Sequence, residues 1–291
     1  MSLRLMPARG DRPGSLFPIM QPLKSIMRRT FLKRAALTAV ALGGGAEVYG
    51  HALERHWVEV ERVPVTLGLP QPMRVVVLGD LHYDPLKEEK YLREVIETVN
   101  SLKPDLIFFT GDFITHSGEC LPELTGILAT AQAVHGCYGV IGNHDCNEEE
   151  AVTEAMEAVG IRILRNQSVA LPGQPGWRLT GIMSMLLGTQ NTSALQNSPA
   201  DSRHILLAHE PDCFEEILDP RIALQISGHT HGGQIRAPFL GALCLPKWGK
   251  RYEMGLYRRG DRQLYVNRGI GTVGINVRVN CRPEVTLLEM V

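Results

Sequence analysis

Strand and helix patterns alternate along most of this 291-residue chain, and the alternation predicts a layered α/β domain. Two further observations point the same way. Apolar runs of strand length end repeatedly in a glycine followed by a carboxylate, amide or imidazole, which gathers polar residues at one edge of a sheet. The composition, 44% hydrophobic and 21% charged, is that of a globular chain with ample material for a large core.

The elements follow in order. After Pro64–Pro72, MRVVVLGDLH (residues 73–82) reads as a buried strand running into a polar loop. Tyr91, Leu92, Val95, Ile96 and Val99 repeat at helical spacing within 88–102, and Pro104 follows the end. DLIFFTGD (105–112) repeats the pattern of apolar strand, glycine and carboxylate, a helix follows over 123–133, and CYGVIGNHD (137–145) is the third such strand. Residues 148–159 are expected to be helical with Gly160 as the stop, and short strands continue to Leu179. The polar stretch 187–201 reads as an exposed loop. HILLAHEP and IALQISGHTH are two more strands ending in histidine, residues 252–271 form a hairpin turning at Arg259–Asp261, and EVTLLEMV closes the chain.

The N-terminal 50 residues read as a leader. Arg28 and Arg29, then Phe31, Leu32 and Lys33, then a mild apolar stretch from Ala35 to Ala46, resemble a twin-arginine export signal. A basic amphipathic helix is the plainer alternative, but the stretch is rich in Gly and Ala and has no bulky face. At about a dozen residues it is also short of the ~20 that a spanning helix needs. The expected location is therefore outside the cytoplasm, periplasmic or at the outer face of the cytoplasmic membrane, after passage through the twin-arginine export machinery. Because Met27 stands directly before the arginine pair, some or all of residues 1–26 are expected to precede the true start. Residues 51–72 are expected to be a linker and first strand region, and 73–291 the catalytic domain.

A net charge of −1 excludes a general nucleic-acid binder, which needs an excess of Lys and Arg to neutralise phosphates. Six scattered cysteines, with no C-x-x-C pair, read as thiols rather than as a disulfide framework.

Five strand ends carry the chemistry: Asp80 with His82, Asp112, Asn143 with His144 and Asp145, His209, and His229 with His231. Each alone would be a turn residue or a cap. All five in this order, each after an apolar strand, are hard to explain as turns. The donors are oxygen and nitrogen with no cysteine, a set suited to two divalent ions such as Mn, Fe or Zn. Period-two geometry at the end of the last strand would aim His229 and His231 at one common point.

With its blocks GDLH, GD, GNHD, H and GHTH, the chain resembles the calcineurin-like metallophosphoesterase superfamily over about residues 73–291. Its C-terminal part, GHTHGGQIRAPF through LYVNRGIGTVGINVRVNCRPEVTLLEM, is similar to the exported bacterial phosphodiesterase branch of YkuE/YaeI type. The resemblance implies a four-layer sandwich of two mixed β-sheets flanked by helices. It implies that Asp80, His82 and His231 hold one metal, that Asn143, His209 and His229 hold a second, and that Asp112 bridges them. His144 would then sit beside the substrate phosphate, with Asp145 as its orienter. Two divalent ions carry four positive charges and only Asp80 and Asp112 are anionic, so the site attracts phosphate. Metals about 3.5–4 Å apart can activate a bridging hydroxide and clamp an in-line displacement. No Ser or Cys nucleophile is needed.

The expected activity is hydrolysis of a phosphodiester, on phospholipid or cell-envelope substrates, with peripheral membrane contact. A UDP-diacylglucosamine-type pyrophosphatase of lipid A synthesis is an alternative, weakened because that substrate is cytosolic. An inactive metal-bound binding module is another, weakened because no ligand is missing. After His82 the chain reads Tyr83, Asp84, Pro85 where relatives commonly have a small turn, which brings an extra carboxylate near the metals. No large cap fits between Asp145 and His209, so the site is expected to be an open groove. From Arg236 to Arg268, eight basic residues stand against Glu253 and Asp261, either as a solvated basic hairpin or as a track for an anionic partner.

Overall fold

The structure, a computed structural model, describes residues 44–45, 48–83 and 85–291. Apart from its last few residues, the leader with its arginine pair lies outside these, as does Asp84. Among the described residues no helix is long and apolar enough to cross a membrane.

Two six-stranded mixed sheets form the domain. The first runs, in spatial order, β1 (Glu59–Val65), β14 (Glu284–Met290), β2 (Met73–Leu78), β3 (Leu106–Phe109), β4 (Cys137–Gly139) and β5 (Ile161–Ile163). β2 to β5 are parallel, whereas β14 is antiparallel to β2 and parallel to β1. The second runs β12 (Gly255–Arg259), β13 (Arg262–Val266), β9 (Ile222–Ser227), β8 (Arg203–Leu207), β7 (Trp177–Gly181) and β6 (Gln167–Ala170). Its interior strands β13, β9, β8 and β7 are parallel and its edges antiparallel. A small hairpin of β10 (Arg236–Ala237) and β11 (Gly241–Ala242) stands apart.

The continuous apolar strands are buried on both faces, as crossover-connected parallel strands require. Val75, Val77, Leu106 and Phe108 meet Leu179, Ile205, Leu207, Leu224 and Ile226 between the sheets. The alternate residues Val76, Leu78, Ile107 and Phe109 pack on α1 (Pro85–Ser101), α2 (Leu121–Leu128) and α3 (Glu149–Ala158). α1 buries Leu92, Val95, Ile96 and Val99, each worth about 1.5–3 kcal/mol over exposure. On the far side of the second sheet, Leu206 and Ile222 are covered by Leu195 of α4 (Ser193–Gln196) together with Cys213 and Ile217. Helices, sheet, sheet and helical turns make four layers.

Residues 51–72, read as a linker and first strand region, hold β1, which pairs along its whole length with β14, and buried Glu54, which accepts the Cys281 N–H at 2.6 Å. The stretch 187–201 contains α4, whose two apolar residues Ala194 and Leu195 are buried among polar neighbours that hid them. EVTLLEMV forms the closing strand β14, which lies between β1 and β2. The hairpin turns at Gly260 and Asp261 as its sequence implies, and all six cysteines are thiols.

Candidate metal centre

The loops leaving β2, β3, β4, β8 and β9 meet at the carboxyl ends of their strands, the place where open α/β sheets bind ligands. Backbone bonds tie them together: Asp80 N–H donates to Gly111 O and His82 N–H to Asp112 O, both at 3.0 Å, and Gly228 N–H donates to His209 O at 3.0 Å. Asp80, His82, Asp112, His229 and His231 all adopt left-handed backbone, with φ from 43° to 72°. That conformation costs a non-glycine residue on the order of 1 kcal/mol, and clusters of it mark functional sites. Here it turns each ligand sharply off its strand.

The ligands form two groups that share one oxygen. In the first, His82 Nε2 lies 3.1 Å from His231 Nε2, which is 3.7 Å from Asp80 Oδ1. In the second, His209 Nε2 lies 3.2 Å from each of Asp112 Oδ2, Asn143 Oδ1 and His229 Nδ1. Asp112 Oδ2 is also 3.4 Å from His82 Nε2, so it faces both groups. His229 and His231 thus serve adjacent groups rather than one point. Their loop leaves extended geometry at Gly228, and strand alternation no longer applies.

Backbone carbonyls set the imidazole tautomers. His209 Nδ1–H donates to Thr110 O at 2.7 Å, and His229 Nε2–H donates to Lys247 O at 2.8 Å. In the neutral rings His209 Nε2 and His229 Nδ1 therefore carry bare lone pairs. These face each other, Asp112 Oδ2 and Asn143 Oδ1 with no donor among the four, an arrangement that only a shared cation or a proton reconciles. The donor set fits a divalent ion at this place, and Asp80, His82 and His231 fit a second.

Charge follows the same logic. Burial opposes ionisation of Asp112, but His209 and His82 overcome it and hold its carboxyl well below the usual range. Burial lowers His82, His229 and His231, which keeps them neutral as metal ligands must be. His209 is raised well above an ordinary histidine because Asp112 outweighs its burial. Burial, reinforced by the nearby Asp112, pushes Asp80 up to about 7. Both groups must shed a proton to bind metal, so protons compete for the Asp80 position below about pH 7 and for the His209 position from higher pH still. We predict that metal affinity, read by calorimetry across pH, falls about tenfold per unit below 7 for each proton displaced. A flat profile from pH 7 to 5 would contradict the assignment.

Two glycines permit this packing. A Cβ on Gly142 would lie 2.2 Å from Asp112 Oδ1, and one on Gly228 would lie 2.6 Å from Asp80 Oδ2. Gly142→Ala is expected to destabilise the domain by about 1–3 kcal/mol and to reduce bound metal, checked by denaturant unfolding and metal analysis. A variant that matches the parent in both would refute the close approach.

His144 lies beside Asp112, whose Oδ1 accepts its N–H at 2.8 Å, and its ring crosses that of His82 edge to face with centroids 4.8 Å apart. The Asp145 expectation is corrected. His144 Nδ1–H donates to Thr115 O at 2.9 Å, whereas the buried Asp145 carboxylate accepts the N–H groups of Ile114 and Gly142 at 3.1 and 3.0 Å. Asp145 shapes the loop and Thr115 orients the imidazole. The basic stretch is also largely spent internally: Arg236 pairs with Glu253, Arg259 with Glu215 and Arg268 with Glu284, while Arg262 donates to Ile217 O.

Sequence reasoning missed the carbonyls of Thr110, Thr115 and Lys247, which carry no side-chain signature. It also missed Arg278, fully buried, which donates to the carbonyls of Arg268, Gly269, Gly271 and Cys281. Arg278 thereby fixes the loop lying on Asp80, where Gly271 N–H donates to Asp80 O at 2.8 Å. Its only sequence signal is an arginine in a glycine-rich run.

Known proteins match this chain along nearly its whole length. The family model for calcineurin-like phosphoesterases matches residues 73–233. YkuE of Bacillus subtilis, an uncharacterized metallophosphoesterase, is 33% identical over 286 residues, covering 92% of this chain and 99% of its own. The phosphodiesterase YaeI of Escherichia coli is 32% identical over 283 residues, covering 91% of this chain and all of its own. The paired ligand groups, the family match and these relatives together make the protein a hydrolase that belongs to the calcineurin-like phosphoesterase family.

Proposed function

We propose that the protein is a phosphodiesterase that uses two divalent cations, held by Asp80, His82 and His231 and by Asn143, His209 and His229 with Asp112 between them, and that it acts outside the cytoplasm on a phospholipid or cell-envelope diester. The observation that carries the diester reading is the meeting of two clefts at His144. One, of about 530 Å³, is lined by Asp112, His229 and His231 and by Leu186, Ile235 and Leu243. The other, of about 840 Å³, is lined by His82 and by Thr115, Ser117, Glu123, Thr272 and Asn276. A monoester has one organic arm, whereas a diester has two, one for each cleft. The export reading rests on the Arg28–Arg29 leader motif.

When bound, the two cations supply the positive charge that binds phosphate and lowers the pKa of a water. The chain does the rest. Asp112 keeps both ligand groups at one oxygen's reach, the Thr110 and Lys247 carbonyls hold His209 and His229 with their lone pairs inward, and Thr115 O holds His144 with Nε2 free. From that atom His144 hydrogen-bonds a phosphoryl oxygen or gives a proton to the departing alkoxide.

The test is initial rates of the metal-reconstituted protein on a chromogenic phosphodiester and its monoester. Preference for the diester supports the reading. Preference for the monoester, or turnover of a UDP-linked pyrophosphate alone, replaces it.

A further inference from the structure

The apolar cleft opens among exposed hydrophobic side chains. Phe239 and Leu240 form the tip of the β10–β11 hairpin, and Phe239 is fully exposed at 107% relative accessibility. Leu243 and Ile275, which line the cleft, are each more than half exposed, as is Leu187 next to the lining residue Leu186. Exposed apolar groups in such number around a site mark an interaction surface.

The strip 273–280 joins this rim to the N-terminal segment. Buried Gln234, just before the hairpin, donates to the carbonyls of Val273 and Ile275 and accepts the Val273 N–H. Arg236 N–H donates to Val279 O at 2.9 Å, and Asn280 Nδ2 donates to Arg236 O at 3.1 Å. On the other side His51 Nδ1–H donates to Asn276 O at 2.8 Å, and Gly50 packs so closely that a Cβ would meet Arg278 O at 2.4 Å. That segment exposes Val48, Tyr49, Leu53 and Trp57. Val48 is two residues beyond the apolar stretch Ala35–Ala46, which follows Arg28, Arg29, Lys33 and Arg34.

We propose that this rim docks on a phospholipid bilayer, with the Phe239–Leu240 turn, Leu243, Ile275 and the side chains of Val48 and Leu53 entering the interface and the apolar cleft opening onto the lipid. Three features favour a bilayer over another protein. The rim is covalently continuous with a leader that carries Arg28, Arg29, Lys33 and Arg34, a cluster of positive charge that an anionic lipid surface attracts. Lys247, exposed next to the cleft-lining Pro246, has no ion pair among the described residues and is free to meet a lipid phosphate. The rim also surrounds a cleft whose own wall is apolar, so an acyl chain could pass from one to the other without crossing water. The inference deepens the phosphodiesterase reading by making its substrate a lipid diester taken from the membrane.

The test uses the full chain carrying Phe239→Trp, with the parent subtracted, and vesicles of phosphatidylethanolamine and phosphatidylglycerol with brominated acyl chains. The added fluorescence should shift to shorter wavelength and be quenched by the bromine, while becoming inaccessible to aqueous iodide. Fluorescence that vesicles leave unquenched by bromine and open to iodide overturns the proposal, even if the leader alone brings the chain to the vesicle. Protection from iodide without vesicles, with a doubled mass in solution, overturns it in favour of a second copy. A second variant, Phe239→Asp with Leu240→Asp, should lower turnover of a vesicle-embedded diester roughly tenfold and leave a soluble diester unaffected. Equal rates on both would also overturn docking. Failure on every diester while bromine quenching persists would instead remove the phosphodiesterase reading and keep the membrane face.

Discussion

Asp112→Ala is expected to reduce hydrolysis by at least about a thousandfold, the scale of the several kcal/mol that metal polarisation contributes to a transition state. Its Oδ2 lies within reach of both ligand groups, 3.2 Å from His209 Nε2 and 3.4 Å from His82 Nε2. Its Oδ1 accepts the His144 N–H. Removing the carboxylate therefore frees two imidazoles of their shared anion and releases the Asn143–His144 loop at once. Bound metal should fall with activity, measured by elemental analysis after gel filtration. Asp112→Asn separates charge from shape: it keeps a carbonyl oxygen for the loop, so it should retain the fold by circular dichroism and still lose metal. Full metal content together with parental rates in the alanine variant would remove Asp112 from the bridging position.

His144→Ala should leave bound metal unchanged and lower kcat by roughly 10²–10⁴, the usual contribution of a positioned acid or base. The side chain lines both clefts, and Thr115 O fixes its tautomer at Nδ1. The two roles open to Nε2 separate by leaving group. If it protonates the departing oxygen, the loss should be large for an alkyl ester and small for a nitrophenyl ester. If it only hydrogen-bonds the phosphoryl group, both should fall equally. A variant that loses metal and rate in proportion would make His144 a ligand instead, consistent with its closeness to His82 and Asp112.

The site was legible because its blocks combine two signals of different kind. An apolar strand predicts where the chain ends a crossing of the core, and the glycine after it predicts a close approach, so GD, GNHD and GHTH announce both a place and a donor. The seven proposed ligands accordingly fall within hydrogen-bonding or coordinating reach of one another. What remained hidden was carried by backbone or by distant sequence. Thr110, Thr115 and Lys247 act through carbonyls that any residue possesses. Asp145 sits next to His144 in the chain but turns its carboxylate to Gly142 and Ile114, which adjacency could not reveal. The basic residues from Arg236 to Arg268 looked like one field because Glu215, the partner of Arg251 and Arg259, and Glu59, Glu61 and Glu284, the partners of Arg268, lie elsewhere in the sequence. β1 was legible only coarsely, within a linker and first strand region, because its partner strand lies over 200 residues away.

That pairing has a consequence for how the protein is made. β14 fills the gap between β1 and β2, so the two earliest strands have no mutual contact on which to settle. During synthesis at about 5–20 residues per second, the ribosome must deliver some two hundred further residues before the missing strand arrives, ten seconds or more in which both sheet edges stand open. The nascent chain is exposed to aggregation for that interval, and a transcript cut short before residue 284 yields a product whose first sheet is split in two.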